Sequence, residues 1–342
     1  MLREKEEESM HILVTGGSGF IGINIAQVLS QDSDNYVILY SRSKPPHQAM
    51  EVLAGQVGNV VWEQGDVQDE IRLNEVMTDH KIDYVVHAAV ITPNAEREKG
   101  QMNEIVEVNC LGTLKVLAVA KKHNIKRFVY VSSVAVYGDV CQKEDPVYTT
   151  TLKNPTNTYE VIKYTTELLC KRYAELHKVD VVALRLGDVY GAWEYRRGVR
   201  DTMSAPCQAA FHALRGETVK LKKAGITGWV YGLDTGRAVE AVLKAKKLTQ
   251  FAYNCGGTEK WSIVQFCQEL QQEFPALRCT VDPEEQYPNV TFFSEADNGL
   301  FDMEQLKKDT GFTPLFGLKR GVEDYLRWIK KYPEMILEKP KR

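Results

Sequence analysis

The sequence predicts an α/β protein, in which a doubly wound parallel sheet is joined to a smaller C-terminal lobe. Short apolar strands alternate with helical stretches as far as residue 191, and a glycine-rich turn follows the first strand. Strands separated by helices need crossover connections, which produce a parallel sheet covered on both faces. Continuous apolar runs such as Val181–Leu184 fit strands that are buried on both sides.

The predicted elements follow one another along the chain with few interruptions. The strands are His11–Val14, Tyr36–Tyr40, Asn59–Trp62, Asp83–His87, Arg127–Ser132, Asp180–Leu186 and Phe251–Asn254. The helices are Ile21–Leu29, Ile71–Met77, Ile105–His123, Asn157–His177, Pro206–Leu214 and Asp234–Lys246. These spans assign the main domain to residues 10–191, completed by about 231–255, and the smaller lobe to residues 192–230 and 256–342. Residues 1–9 are too acidic for a signal peptide, and we expect them to form a disordered leader instead.

Composition argues against several classes of protein. The net charge is −3 and there is no basic tract, so we expect no nucleic-acid partner. Seven scattered cysteines without a Cys-x-x-Cys pair favour reduced thiols in the cytoplasm over a disulfide framework or a metal site. No apolar run approaches the roughly 20 residues that span a bilayer. We therefore expect a cytoplasmic protein that binds no membrane and no metal.

A glycine-rich loop, Thr15–Gly22, lies between the first strand and the first helix. Its glycines permit a tight turn, close approach of a pyrophosphate and close packing of helix on strand. The helix N-terminus adds free N–H groups and the positive end of the helix dipole. The loop therefore predicts a Rossmann-type dinucleotide-binding domain. The residues expected to contact the cofactor here are Gly16, Gly19, Phe20, Ile21 and Gly22.

The end of the second strand bears on the choice of cofactor. A carboxylate there would bind the adenosine ribose hydroxyls and repel a 2′-phosphate. Here Tyr40 is followed by Ser41, Arg42 and Ser43, with no carboxylate. Arg42 can pair with a 2′-phosphate, and a serine can donate to it. NADP is therefore predicted over NAD, which remains the alternative.

Tyr159 and Lys163 lie four residues apart on a predicted helix and so project from the same face. A free phenol has a pKa of roughly 10 and is a poor base at neutral pH. A neighbouring ammonium favours the phenolate and is expected to lower that pKa. The pair therefore predicts a proton-transfer group for hydride chemistry on an alcohol or a carbonyl.

Several motifs occur in a fixed order along the chain. They are Thr15–Gly22, Gly65-Asp66-Val67, His87-Ala88-Ala89, Asn109, Ser132–Gly138 and the pair Tyr159 and Lys163. Together they resemble the extended short-chain dehydrogenase/reductase family, often called NAD-dependent epimerase/dehydratases, over residues 10–330. The resemblance implies that Asp66 and Val67 contact the adenine, that Ala88 and Ala89 line the dinucleotide groove, and that Asn109 supports the active-site backbone.

The resemblance also implies a catalytic set and an assembly. Ser133 would orient the substrate oxygen, Tyr159 would exchange the proton, and Lys163 would bind the nicotinamide ribose while holding the tyrosine acidic. A homodimer through the helices at 105–123 and 157–177 is typical of the family.

Departures from the family pattern narrow the chemistry. Family dehydratases carry carboxylates where this chain has Ser133-Val134-Ala135, so dehydration is not expected. Nucleotide-sugar epimerases usually bind the substrate diphosphate with a side-chain amide and an arginine. At the equivalent positions this chain has Asp188 and Thr227. A diphosphate needs cations and donors, so both changes weaken that site. The arginines that could replace them, or bind a substrate carboxylate, are Arg196, Arg197 and Arg200.

Three functions remain open. The first is an NAD(P)-dependent oxidoreductase that interconverts an alcohol and a carbonyl on a small sugar, sugar acid or hydroxy ketone. The second is a nucleotide-sugar epimerase with tightly bound NAD, which needs no net cofactor turnover. The third is a non-catalytic dinucleotide sensor, which has no need of Ser133, Tyr159 and Lys163.

Overall fold

The computed structural model describes residues 9–195, 200–294 and 296–337. The helices are α1 Phe20–Leu29, α2 His47–Ala54, α3 Glu70–Asp79, α4 Ala95–Gly100, α5 Met102–Val106, α6 Gly112–Lys122, α7 Thr158–His177, α8 Ala205–Leu214, α9 Gly232–Lys244, α10 Ile263–Leu270, α11 Glu304–Thr310, α12 Leu318–Lys331 and α13 Glu334–Leu337. The strands are β1 His11–Thr15, β2 Tyr36–Ser41, β3 Asn59–Gln64, β4 Tyr84–His87, β5 Arg127–Ser133, β6 Val181–Leu186, β7 Val189–Tyr190, β8 Val219–Leu221, β9 Val230–Tyr231, β10 Ala252–Cys255 and β11 Cys279–Val281. Of the predicted leader, only Ser9 is described, and its hydroxyl donates to Asp34 O at 2.7 Å.

The central sheet confirms the predicted α/β class. Seven strands lie in the order β10-β6-β5-β4-β1-β2-β3, and every pair in this sheet is parallel. The order reverses between β1 and β4, whose neighbouring carboxyl ends leave a crevice. A ligand site is therefore expected at this edge of the sheet.

Helices cover both faces of the sheet. On one face, α1 and α9 contribute Ile25, Leu29 and Val242 to an apolar cluster with the strands. On the other face, α3, α6 and α7 contribute residues such as Leu73 and Leu117. All six residues of β6 are buried, which is the burial that its uninterrupted apolar run predicts.

A second apolar core, rich in aromatic rings, forms in the C-terminal half of the chain and also takes in Ile23 and Ala49. The Tyr190 ring meets the edges or faces of Trp229, Tyr231, Trp261 and Phe266 with centroids 5.2 to 6.5 Å apart. A short parallel pair, β7 with β9, carries the chain from β6 into this core. The lobe is thus packed against the carboxyl edge of the sheet.

The helix predicted over Ile105–His123 is interrupted. A π-helical turn occupies Glu107–Leu111, between α5 and α6. The Asn109 side chain leaves the helix surface there to bond the backbone of Ile91. Such turns are common at functional sites and carry no periodicity signal. Helix α2 was missed for a simpler reason, because it is short, has no side-chain cap and buries only Ala49 and Leu53.

Within the described residues, no helix is long and apolar enough to cross a membrane.

Candidate functional site

A cavity of about 1250 Å³ runs along the carboxyl edge of the sheet, from the glycine loop to the smaller lobe. It is lined by every predicted cofactor residue and by Ser133, Tyr159, Lys163, Asp188 and Arg200. Asn109 does not line it, and Arg196 and Arg197 lie outside the described residues. Sequence motifs that are far apart along the chain therefore meet in one cavity.

The glycine loop is built for close approach. Gly16 has φ +68°, and a Cβ there would meet Ala89 N at 2.7 Å. A Cβ on Gly22 would meet Gly16 O at 2.4 Å, so neither position accepts a side chain. No side chain caps the N-terminus of α1, and its first turn carries no acidic residue. Free N–H groups and the positive end of the helix dipole thus face the cavity, a fit for a dinucleotide pyrophosphate.

At the far end of the cavity, Arg42 is exposed while Ser41 is buried. The Ser41 hydroxyl donates to Ser43 O at 2.9 Å and accepts from Trp62 Nε1 at 3.1 Å. It is therefore engaged within the protein, which differs from the expectation that a serine at 41 donates to a ligand. Tyr40 is also buried, and its hydroxyl donates to Asp66 O at 2.9 Å, which fixes the backbone of the expected adenine residue.

Tyr159 lies in the first turn of α7, where the Asn157 side chain caps the helix by accepting from Glu160 N at 3.0 Å. Burial raises the pKa of Tyr159 above its ordinary value. Hydrogen bonds with the side chains of Ser133 and Thr92 and the charge of Arg200 act in the opposite direction without outweighing burial. The phenol therefore holds its proton at neutral pH in this structure.

The lowering of the Tyr159 pKa by Lys163 stays a prediction, because the groups that lower this pKa here are Ser133, Arg200 and Thr92. The Lys163 ammonium donates to Val131 O at 2.8 Å and lies 5.9 Å from the centroid of the Tyr159 ring. A buried ammonium needs an acceptor, and this carbonyl supplies one. Burial also lowers the pKa of Lys163 to about 8, so this ammonium loses its proton more readily than that of an exposed lysine.

The Asn109 side chain bonds the backbone of Ile91 through both of its polar atoms. Its Oδ1 accepts from Ile91 N at 2.7 Å, and its Nδ2 donates to Ile91 O at 2.8 Å. Ile91 immediately precedes Thr92, whose side chain contacts Tyr159. The side chain thus holds active-site backbone from outside the cavity.

Asp188 lies at the substrate end, just beyond β6. Its Oδ2 accepts from Thr227 Oγ1 at 3.0 Å and from Asn298 Nδ2 at 3.1 Å. The Cys141 thiol lies 3.3 Å from Asn298 Oδ1, and its nearer acceptor is Gly138 O at 2.9 Å. Asp188 and Thr227, which both depart from the family pattern, are therefore hydrogen-bonded to each other.

Arg200 spans the opening between the two lobes. Its guanidinium pairs with Glu194 at 2.8 Å and lies over the rings of Phe20 and Phe293 at 5.7 and 5.3 Å. Glu194 is fully buried and also accepts from Ser204 N at 2.7 Å. Burial raises the pKa of Glu194, against the lowering effect of Arg200.

Several cavity residues carried no sequence signal. Thr92, Asn298 and Tyr195 stand alone in polar or aromatic stretches, and their roles come from contacts with distant residues. The Tyr195 hydroxyl donates to Ser18 O in the glycine loop, 177 residues earlier in the chain. Glu334 in α13 accepts from Gln48 in α2 at 2.9 Å and lines the same cavity.

Comparisons with known proteins find one family and several similar enzymes. The model of the NAD-dependent epimerase/dehydratase family matches residues 12–256. The dTDP-D-glucose 4,6-dehydratase of Homo sapiens is 27% identical over 94% of this chain and 90% of its own length. Structural likeness, which shows the fold, extends to the UDP-glucose 4-epimerase of Thermotoga maritima with UDP-glucose, with a TM-score of 0.80 and 22% identity over 95% of this chain and 100% of that one. It extends also to the UDP-glucuronic acid 4-epimerase of Bacillus cereus in complex with NAD, with a TM-score of 0.75 and 24% identity over 94% and 99%.

Proposed function

The chain belongs to the NAD-dependent epimerase/dehydratase family, of the extended short-chain dehydrogenase/reductase type, and on that premise we propose that it is an NAD(P)-dependent oxidoreductase that interconverts an alcohol and a carbonyl on a sugar-like substrate. The observation that carries the proposal is the meeting of Ser133 and Tyr159 in the same cavity as the glycine loop. A nicotinamide bound there would supply or accept the hydride.

The side chains then divide the remaining work. Tyr159, protonated at neutral pH, gives its proton to the substrate oxygen as a carbonyl is reduced and takes it back in the reverse direction. Ser133 donates to that same oxygen and fixes it against Tyr159. Lys163, on the same face of α7, binds the nicotinamide ribose. Its buried ammonium would then donate both to the ribose and to Val131 O.

NADP is the proposed cofactor, with NAD as the alternative. Support for NADP comes from the exposed Arg42 at the cavity wall and from the absence of a carboxylate in β2. The NAD in the Bacillus cereus structure supports a nicotinamide dinucleotide and favours the alternative. Since Ser41 is engaged internally, Arg42 would carry the phosphate contact with Ser43 as its helper.

Epimerisation is the second candidate, favoured by the likeness to the Thermotoga maritima UDP-glucose 4-epimerase over 95% of this chain. Dehydration is disfavoured although the human relative is a dehydratase. The positions where dehydratases would carry carboxylates hold Val134, which is buried, and Ala135. Elimination needs a proton donor or acceptor that these side chains do not supply.

A substrate screen that follows reduced-cofactor absorbance tests the proposal. Sugars, sugar acids and hydroxy ketones are offered with NADP and NAD, and their oxidised forms with NADPH and NADH. A dehydrogenase changes the absorbance of the free cofactor pool. Interconversion of a sugar nucleotide without any such change would move the assignment to the epimerase.

A further inference from the structure

Asp188 stands close to the place where the substrate oxygen is expected. In the β5–β6 ladder, Ser133 is the register partner of Leu186, and Asp188 follows two residues later. Asp188 lies just past the end of β6, and both Ser133 and Asp188 line the cavity. The Asp188 backbone is fixed as well, since its carbonyl accepts from Val230 N at 3.0 Å. A substrate held at Ser133 would therefore extend past Asp188.

The Asp188 carboxylate is only half satisfied. Oδ2 has two neutral donors, the Thr227 hydroxyl and the Asn298 amide. Within the described part of the chain, no residue donates to Oδ1 and no cation pairs with the carboxylate. An ionised carboxylate that is partly removed from water is stabilised by further donors or by a positive charge. Oδ1, in the cavity wall, is thus free to accept a hydrogen bond from a ligand.

The surrounding groups keep this acceptor in place. The Asn298 amide presents its Nδ2 to Asp188, because a carboxylate accepts only from a donor. Burial raises the pKa of Cys141 to about 12, and the Asp188 charge acts in the same direction, so the thiol keeps its proton and donates it to Gly138 O at 2.9 Å. Rotation of the Asn298 amide would replace this donor by an oxygen that faces the carboxylate, so the amide orientation is fixed by Asp188.

We propose that Asp188 is a specificity-determining residue that accepts hydrogen bonds from hydroxyl or amino groups of the substrate and excludes phosphate or carboxylate groups from this end of the cavity. The inference rests on the proposed function and narrows its substrate class to sugars that are not anionic where they pass Asp188. Rejection follows from charge, because an anion facing Oδ1 meets a like charge and finds no donor there.

The test measures binding rather than turnover, in protein saturated with NADP. Isothermal titration calorimetry gives the affinities of D-galactosamine, D-galacturonate and UDP for the wild type and for Asp188→Asn. The variant removes the charge at constant size and adds a donor. We expect at least a tenfold gain in affinity for UDP and galacturonate and at least a tenfold loss for galactosamine. Asp79→Asn removes the same charge from the exposed end of α3, outside the cavity, and should change each affinity less than twofold.

Affinities that change by less than threefold in Asp188→Asn, including a series in which nothing binds, would overturn the proposal. So would tighter binding of UDP than of galactosamine by the wild type. Asp188→Ser removes the charge without adding an amide and should shift the three affinities in the same directions if Asp188→Asn does not fold. Because calorimetry needs no reaction, a failed absorbance screen would count against the proposed function alone.

Discussion

Arg42 lies exposed at the end of β2, where it has the freedom to meet a 2′-phosphate. A guanidinium and a phosphate form a charge-assisted pair, which NAD cannot offer. Arg42→Ala should therefore weaken NADP binding about tenfold and leave NAD binding within twofold. Fluorescence titration with NADPH and NADH measures both affinities, and Lys44→Ala, an exposed neighbour outside the cavity, is the matched control. Equal losses for the two cofactors would mean that Arg42 takes no part in the choice.

His87 predicts how stability depends on pH. The ring is buried between Thr15 Oγ1 at 2.8 Å and Thr113 Oγ1 at 2.9 Å, and burial lowers its pKa to about 3, with the Lys163 charge adding to the effect. Between pH 6.5 and 3 the unfolded chain binds the proton and the folded chain does not. Folding stability from this group is therefore complete above pH 6.5 and falls by up to about 1.4 kcal/mol for each pH unit below it.

His87→Gln removes the titrating group and should flatten that part of the profile. Urea unfolding at several pH values between 4 and 7 measures the difference from the wild type. His47→Gln, on the exposed side of α2, is the control and should leave the slope as it is. A His87→Gln profile parallel to that of the wild type would contradict the buried, neutral ring.

Residue roles divide into those that local sequence can reveal and those that it cannot. Gly16 and Tyr159 sit in short motifs whose spacing determines their geometry. Thr92 meets Tyr159, and Asn298 meets Asp188, across 67 and 110 residues of chain. Such contacts depend on the assembled fold, so no local pattern predicts them.

At the scale of elements, α7 is tied to the sheet by a buried ion pair. The Glu167 carboxylate accepts from Ser132 Oγ at 2.9 Å and from Arg185 Nε at 3.1 Å, and both charged side chains are buried. Arg185 also donates to the Tyr137 hydroxyl at 2.8 Å. The pair thus links the helix that carries Tyr159 to β6, and the Ser132 bond links the same helix to β5, the strand that ends at Ser133.

Glu167→Gln should be strongly destabilising because it leaves the Arg185 charge buried without a counter-ion. Breaking such a pair costs about 3–5 kcal/mol, which urea unfolding would detect. Glu175→Gln breaks the exposed pair with Arg172 on the same helix and should cost less than about 1 kcal/mol. A similar loss of unfolding free energy in both variants would show that the buried pair does not stabilise the packing of α7 on the sheet.

The strands were the elements that sequence predicted best, because burial on both faces leaves an uninterrupted apolar run. Helix boundaries near the site were harder. The π turn at Glu107–Leu111 follows from the bond of Asn109 to Ile91, a contact between separate elements. The short pairs β7–β9 and β8–β11 lie in the lobe, where two- and three-residue strands have no periodicity to recognise.

At the scale of the whole molecule, one surface carries unpartnered apolar side chains on neighbouring helices. On α7 these are Val161, Leu168, Leu169 and Leu176, and from α5 through the π turn they are Met102, Val106 and Leu111. Large exposed apolar patches mark interaction surfaces. We expect two copies of the chain to cover this patch in a homodimer, the assembly that is typical of the family.

Light scattering after size exclusion should therefore give the mass of a dimer at micromolar concentration. Replacing Leu168 and Leu176 by glutamate should give a folded monomer, because two buried charges would face their own copies across the symmetric interface. Val57→Glu, at an exposed apolar residue elsewhere, is the control. A monomeric wild type, or a dimer that survives both charges, would place the interface elsewhere or remove it.

The central claim is that Tyr159 transfers the substrate proton in a cavity shared with the nicotinamide. Tyr159→Phe removes the hydroxyl and keeps the ring, so turnover of any substrate found in the absorbance screen should fall by roughly 10²–10⁴-fold. The affinity for the reduced cofactor should stay within about twofold, and Tyr173→Phe, farther along α7 and outside the cavity, should be fully active. Turnover by Tyr159→Phe within tenfold of the wild-type rate would contradict the account.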